Sequence, residues 1–360
     1  MAGYPEKESV KNNSNIISGV MYFYIHFVTE VLCFYTLYTY TGTRSEVWLF
    51  FLAYDMLAFV PQALIGRFSD RFPKLPLGAA GLIFLAAALL LFQARAGTYL
   101  PLTVLCLGNC MVHVNGAEVT LRTSGGKLAG SAIFVSGGSF GVVTGRLMGS
   151  AGMPDGILFV LALTALPLTL LAQRYILNDA RPQTEQCRDF RYIKGGAAKG
   201  AVIALAVVIV AVRGYMGYGI PTSWNKTLVQ LVMLFSFMGT GKALGGILAD
   251  RFGFRRTAMV STALAAPLLM FGDNIMAISL IGVMLFSMTM AITLGLIVSA
   301  IPKTPGLAFG WTTIGLFMGT APAFFFRLRT TAANCVMIAA LSILCLAIMW
   351  LIIRKDPENE

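Results

Sequence analysis

The side chains in this sequence that could do chemistry are the ionisable ones inside apolar runs. His26 and Glu30 stand four apart in MYFYIHFVTEVLCFY, a spacing that puts both on one helix face. His113 and Glu118 lie in LCLGNCMVHVNGAEVTLR, where Glu118 and Arg122 are again four apart. Charges in hydrocarbon cost several kcal/mol unless they are paired or wet. Two chemistries fit the four residues. His26, Glu30, His113 and Glu118 could form a proton-binding cluster, because imidazole titrates near physiological pH and enclosure brings carboxyls toward that range. Alternatively, His26–Glu30 and Glu118–Arg122 are structural pairs that pin two helices together.

The second half of the chain offers Arg213 in VVIVAVRGYMGYG. Its planar, fixed charge suits a substrate carboxylate or phosphate. It could equally bind a carbonyl at a helix break, given Gly214, Gly217 and Gly219 beside it. Arg146 is a second candidate for the same task. Tyr22, Tyr215, Tyr218, Trp224 and Asn225 could supply an amphipathic lining, or anchor helix ends at the membrane interface. Asp55, near the outer end of its run, reads first as an interfacial or conformational residue. Cys106, Cys110, Met111 and His113, with Met284, Met288 and Met290, contain soft metal ligands. They carry no CxxC or His-rich tract and read as packing residues, so no metal site is expected.

These groups must be held by membrane helices. The 360 residues are 57% hydrophobic and 12% charged, with a mean hydropathy of +0.76. A soluble domain carries about a quarter charged residues. A β-barrel would alternate along each strand, whereas LIFLAAALLLF (82–92) is apolar all round. Apolar runs fall near 16–40, 46–66, 76–95, 99–121, 128–150, 156–177, 200–220, 227–248, 257–272, 275–300, 306–326 and 333–353. Twelve helices of about 20 residues fit this length with short loops. The one long polar connection spans 178–199. It separates an N-terminal six-helix bundle, 1–177, from a C-terminal one, 200–360.

The net charge of +11 comes without a basic helix or an aromatic–basic sheet pattern, so nucleic acid is not an expected partner. Lys and Arg excess on cytoplasmic loops explains it better. With both termini inside, about 20 of the 27 basic residues, Lys242 among them, fall on the cytoplasmic side. Arg44, Arg95, Arg146, Arg213, Lys226, Arg327 and Arg329 fall in outer halves or loops. The polar start, MAGYPEKESVKNNSN, lacks a cleavable-signal layout, and the first apolar helix is expected to remain as an anchor. Five of six cysteines lie in apolar runs, which is no disulfide framework.

The chain repeats itself. ALIGRFSDRF (63–72) and ALGGILADRF (243–252) align at an offset of 180, pairing Gly66 with Gly246, Asp70 with Asp250 and Arg71 with Arg251. SGGKLAG (124–130) overlies TPGLAFG (304–310) at the same offset. Such repeats imply a pseudo-symmetric pair of bundles around a path at their interface. The G-x-x-x-D-R-x-x-(K/R) loop, present as GRFSDRFPK (66–74) and GILADRFGFRR (246–256), resembles the signature of the major facilitator superfamily. That resemblance implies an all-α membrane protein of two six-helix bundles rocking about a central site, with spans 1, 4, 7 and 10 lining it. HFVTE (26–30), VHVNGAEV and SGGKLAGSAIFVSGGSFG (112–141) are similar to the fosmidomycin-resistance-like branch. Here Glu30 replaces the branch's Asp, no proline follows His113, and Glu118 is displaced. Gly137, Gly138, Gly141, Gly145 and Gly149 resemble the glycine stripe of antiporters, without its usual proline.

Gly66, Asp70, Arg71, Gly246, Asp250, Arg251 and Arg122 are accordingly expected to gate the cytoplasmic side. The Asp carboxylates would face helix N-termini, and the Arg side chains would pair across the seam. The expected function is a proton-coupled secondary transporter exporting a small organic drug or metabolite. A proton-coupled importer of an organic anion and a transport-dead sensor or scaffold are the alternatives. No cofactor beyond a proton gradient is expected, and the partners are bilayer, solute and protons. The expected setting is a monomer in a bacterial cytoplasmic membrane. Neither H-E-x-x-H nor G-x-S-x-G occurs, so an enzyme is not expected.

Overall fold

The computed structural model describes residues 6–42, 45–178, 185–328 and 330–356, with side chains from Asn15 onward. Arg44, Arg329 and linker positions 179–184 lie outside the described residues, and Lys7 and Lys11 are described in backbone only. The first half contains α1 (Glu6–Thr41), α2 (Val47–Phe59), α3 (Gln62–Arg71), α4 (Leu77–Gln93), α5 (Tyr99–Arg122), α6 (Ala129–Ser150) and α7 (Gly156–Leu177). The second contains α8 (Lys199–Gly219), α9 (Leu228–Phe252), α10 (Phe254–Phe271), α11 (Met276–Ser287), α12 (Thr289–Ala300), α13 (Pro305–Ala323) and α14 (Thr331–Ile352).

Among the described residues, fourteen helices make twelve spans because two are interrupted. Pro61 has no N–H to continue the ladder, so the span Val47–Arg71 divides into α2 and α3. At Met288 the backbone N–H turns to Leu285 O, three residues back, and Met276–Ala300 divides into α11 and α12. Among the described residues, eight of the spans are long and apolar enough to cross a membrane, and the chain is an integral, multi-pass membrane protein. Of the four spans expected at the centre, α1, α5 and α11–α12 are the most enclosed by other helices. α8 is far less covered.

Glycine sets how closely helices approach. Gly137, Gly138, Gly141, Gly145 and Gly149 of α6 all lie against α1, over Phe23, His26, Phe27, Val31 and Tyr35. A Cβ on Gly137 would stand 2.2 Å from Phe23 O. Small residues are what let membrane helices pack this tightly. α8 and α13 repeat the pairing, with Gly319 against Ala211 O. The halves meet along α6 with α9 and α3 with α13. At the end of the bundle that carries the linker, Tyr192 stacks on Phe254 at 4.0 Å and donates to Gly126 O.

Candidate functional site

Two clusters emerge, at different depths. The deeper one joins α1 and α5. Glu30 Oε1 lies 3.3 Å from His113 Nε2 and 3.8 Å from His26 Nε2. All three residues are buried, at 6–7% exposure. His26 Nδ1 is 2.9 Å from Phe134 O, and His113 Nδ1 is 3.0 Å from Asn109 O. A carbonyl oxygen only accepts, so each Nδ1 carries the proton and donates it. In the neutral rings both Nε2 atoms are therefore lone pairs, facing a carboxylate oxygen that is also an acceptor. Asn109 is the one hydrogen-bond donor to that oxygen among the described residues, and a proton on Glu30 or on His113 would turn the 3.3 Å approach into a hydrogen bond. The imidazoles meet edge to face, with centroids 4.4 Å apart.

Asn109 closes the cluster on the other side, its Nδ2 donating to Glu30 Oε1 at 3.1 Å and Tyr54 Oη at 2.9 Å. The His26, Glu30 and His113 ligand atoms lie within 4.8 Å of one another, a spread that could also surround a small metal ion. The Lys242 ammonium acts on all three through space and opposes a further cation there. This trio differs from the Cys–Met–His grouping weighed above: Cys106 and Cys110 face Tyr54 O and Ala58 O.

Glu118 belongs to the second cluster. Five residues from His113 is about 500° of helical rotation, which turns it to another face. There Arg122 Nε donates to Glu118 Oε1 at 2.8 Å, Ser69 donates to Oε2, and Arg122 Nη2 lies 3.3 Å from Asp70 Oδ1. Arg122 is 1% exposed, and this network holds its Nε and one terminal nitrogen. The expected four-residue proton cluster is thus three residues plus a separate ion network.

That network runs to the seam between the halves. Asp70 accepts from Gly306 N at 3.0 Å and Leu307 N at 2.9 Å, at the N-terminus of α13. Asp250 accepts from Leu128 N at 2.8 Å and Ala129 N at 2.8 Å, at the N-terminus of α6. Helix N-termini present unpaired N–H groups and positive potential, so each carboxylate caps a helix of the opposite half. Gly66 and Gly246 make room: a Cβ on Gly66 would stand 2.2 Å from Gly306 O, and one on Gly246 2.4 Å from Ala132 Cβ. The cross-seam pairing expected of Arg71 and Arg251 is absent among the described residues. Both are exposed and lie beside their own next residues, Phe72 at 5.7 Å and Phe252 at 5.3 Å.

The expected lining residues scatter. Tyr22 is fully buried and donates to Asn115, which passes a bond to Gln173. It packs α1 on α5. Arg213 lies over the Phe286 ring at 3.9 Å, an interior cation–π contact. Tyr215 donates to Phe326 O at 3.0 Å, and Tyr218 lies 5.3 Å from Arg327. Trp224 is buried and Asn225 closes a turn onto Thr222 O in the loop after α8, while exposed Arg146 lies over Tyr38. None of these touches the Glu30 cluster among the described residues.

The residue missed at this site is Lys242. The positive-side count assigned it to the cytoplasm, but it lies inside α9, ten residues before its end. Its ammonium acts electrostatically on Glu30, His26 and His113. A charge within LVMLFSFMGTGKALGGI was the available signal.

Comparison with known proteins agrees with this architecture. No family model matches the chain. It is 25% identical over 320 residues, 76% of each chain, to YfnC, an uncharacterized MFS-type transporter of Bacillus subtilis. The human organic anion transporter MFSD10 matches 97% of this chain and 100% of its own at a TM-score of 0.63 and 14% identity. The Escherichia coli fucose:proton symporter FucP matches 93% of this chain and 99% of its own, at a TM-score of 0.60 and 14% identity. The chain has the major facilitator fold, and the proteins it is similar to are transporters, not enzymes.

Proposed function

We propose that this chain is a proton-coupled secondary transporter of a small organic solute, working by alternating access. The observation that carries the reading is the 3.3 Å approach of Glu30 Oε1 to His113 Nε2, with both imidazoles tethered through Nδ1. One proton occupies that gap as Glu30–H donating to imidazole, or as imidazolium donating to the carboxylate. Its loss leaves acceptors facing one another beside Lys242, so proton occupancy changes the forces on the seam.

The Asp70 and Asp250 caps hold the linker side closed. They exist only while the halves meet there, so opening that side strips four backbone N–H groups of their charged acceptors. The excess of Lys and Arg on that side supports an orientation with both termini cytoplasmic, which would make this the cytoplasmic gate; a bacterial inner membrane is the setting we propose. Proton coupling is a property that FucP's name states for that protein. Kinship with the fosmidomycin-resistance-like branch rests on HFVTE and the glycine face of α6, and favours export.

The test is flux in proteoliposomes holding a pH-sensitive dye, challenged with organic acids, amines and neutral drugs. Solute-driven pH change is expected in the wild type and absent in Glu30→Gln. Solute flux without proton movement would remove the coupling; no flux for any solute would remove the transporter.

A further inference from the structure

The interior charges divide unequally between the halves. Glu30, Asp55 and Glu118 lie within spans of the first half. From Lys199 to Ile352 the only carboxylates are Asp250, at a helix end, and Asp273, in a loop. The interior of the second half holds two cations, Arg213 and Lys242, and no acid. Arg213 is covered by Phe286. Lys242 has no hydrogen bond or ion pair among the described residues, and it is partly exposed where the Glu30 cluster is buried.

Its placement is fixed by glycines. Gly239, Lys242 and Gly246 are spaced three and four apart, one stripe of α9. Gly239 lies against Phe140 and Gly246 against Ala132, both on α6. Antiparallel α6 therefore presents its residues near 136 and 137 at the depth of Lys242. On its other face, Gly138 lies against His26 Nε2 and Gly141 against Glu30 Cβ. Lys242 and the proton cluster are thus at one depth on either side of a glycine-thinned helix.

We propose that Lys242 receives the negative group of the transported solute, a small organic anion, and that this anion and ionised Glu30 compete for the one ammonium. With Glu30 ionised, Lys242 balances it across the seam. With Glu30 protonated, Lys242 is an uncompensated cation in a low-dielectric interior, and an anion restores neutrality. Anion affinity therefore rises as pH falls, and each bound anion is accompanied by one proton. The groups facing Glu30 are His26 and Cys33 on α1, Tyr54 and Asp55 on α2, and His113 on α5. The helices packed on α9, namely α6, α10, α11 and α12, contribute no carboxylate. The substrate class rests on the transporter reading, and it replaces the export that branch kinship favours with proton–anion symport.

The experiment is ligand titration of the purified full-length protein, followed by melting temperature, at about pH 6 and about pH 8. The probes are acetate, lactate and benzoate, with benzamide and benzylamine as neutral and cationic counterparts of benzoate. At least one carboxylate should bind, more tightly at the lower pH, and its uncharged and cationic counterparts should not. Lys242→Gln should weaken binding about tenfold or more, and Lys242→Arg should retain most of it. Lys226→Gln, in an outer loop, should leave it unchanged. Glu30→Gln, a mimic of the protonated acid, should hold the higher affinity at both pH values, and it tests the competition even where Lys242→Gln does not fold. No carboxylate binding, unaltered affinity in folded Lys242→Gln, or a pH-dependent Glu30→Gln would overturn the proposal. Lys242-dependent binding with proton-free flux would instead keep the anion site and discard proton coupling.

Discussion

Asp70 and Gly306, 236 residues apart, are joined across the seam: the carboxylate accepts the Gly306 N–H at 3.0 Å, while Gly66 gives the α13 backbone room to approach. Asp250 repeats the arrangement on α6. The two helices of each half that carry the repeated motifs therefore close one end of the molecule reciprocally.

Breaking one cap should bias the molecule toward opening on that side. A bond to a charged acceptor contributes about 1.5–3 kcal/mol. Asp70→Asn should shift the equilibrium by at least about fivefold. Ala308, wholly buried beside the cap, reports it: a cysteine there, in a cysteine-free background, should react faster with maleimide when Asp70 is Asn. Equal rates would show that the caps do not hold the gate.

Glu118 and Glu30 should separate cleanly. Glu30→Gln and His113→Ala should each abolish the pH dependence of solute flux. Glu118→Gln should preserve that dependence and lower flux and melting temperature, because it removes the Arg122 partner near the gate. A flat pH profile in Glu118→Gln would return Glu118 to the proton cluster.

Gly138→Ala tests the imidazole position. The added Cβ would stand 2.4 Å from His26 Nε2, so the ring or α6 must move. The expected result is a displaced pH optimum of flux in a protein that still folds. Ala at Gly156, where a Cβ meets open space, is the matched control. An unchanged optimum in Gly138→Ala would remove His26 from the proton site.

Asp155 lies in the loop before α7 and ties three helices. Its burial favours the protonated carboxyl, but bonds from Tyr35, Gln93 and Tyr40 outweigh this and hold the group below the usual carboxylate range. A lowered folded-state pKa gives stability that is present above the unfolded value and lost as pH falls through the folded one. The wild-type melting temperature should therefore fall more steeply on acidification below about pH 4 than that of Asp155→Asn. Parallel curves would show that the three bonds contribute no net linkage.

Composition and repetition were enough to read the frame. Apolar runs of membrane-spanning length exclude other folds, because hydrocarbon admits only self-satisfied helices here. The 180-residue offset exposed both Asp–Arg motifs, since the halves share a backbone plan. Helical spacing of four placed His26 with Glu30, because that contact is local. What the sequence could not supply was every contact between helices. The motif pair 63–72 and 124–130 is not one gate; each segment meets its counterpart from the other half. Glu118 shares a helix with His113 yet faces Arg122 and Ser69. Lys242, counted by its charge on the cytoplasmic side, is drawn to the depth of Glu30 by glycines on two helices. Which cation faces which acid depends on helix approach distances, and those are set by side chains absent at Gly138, Gly141, Gly239 and Gly246.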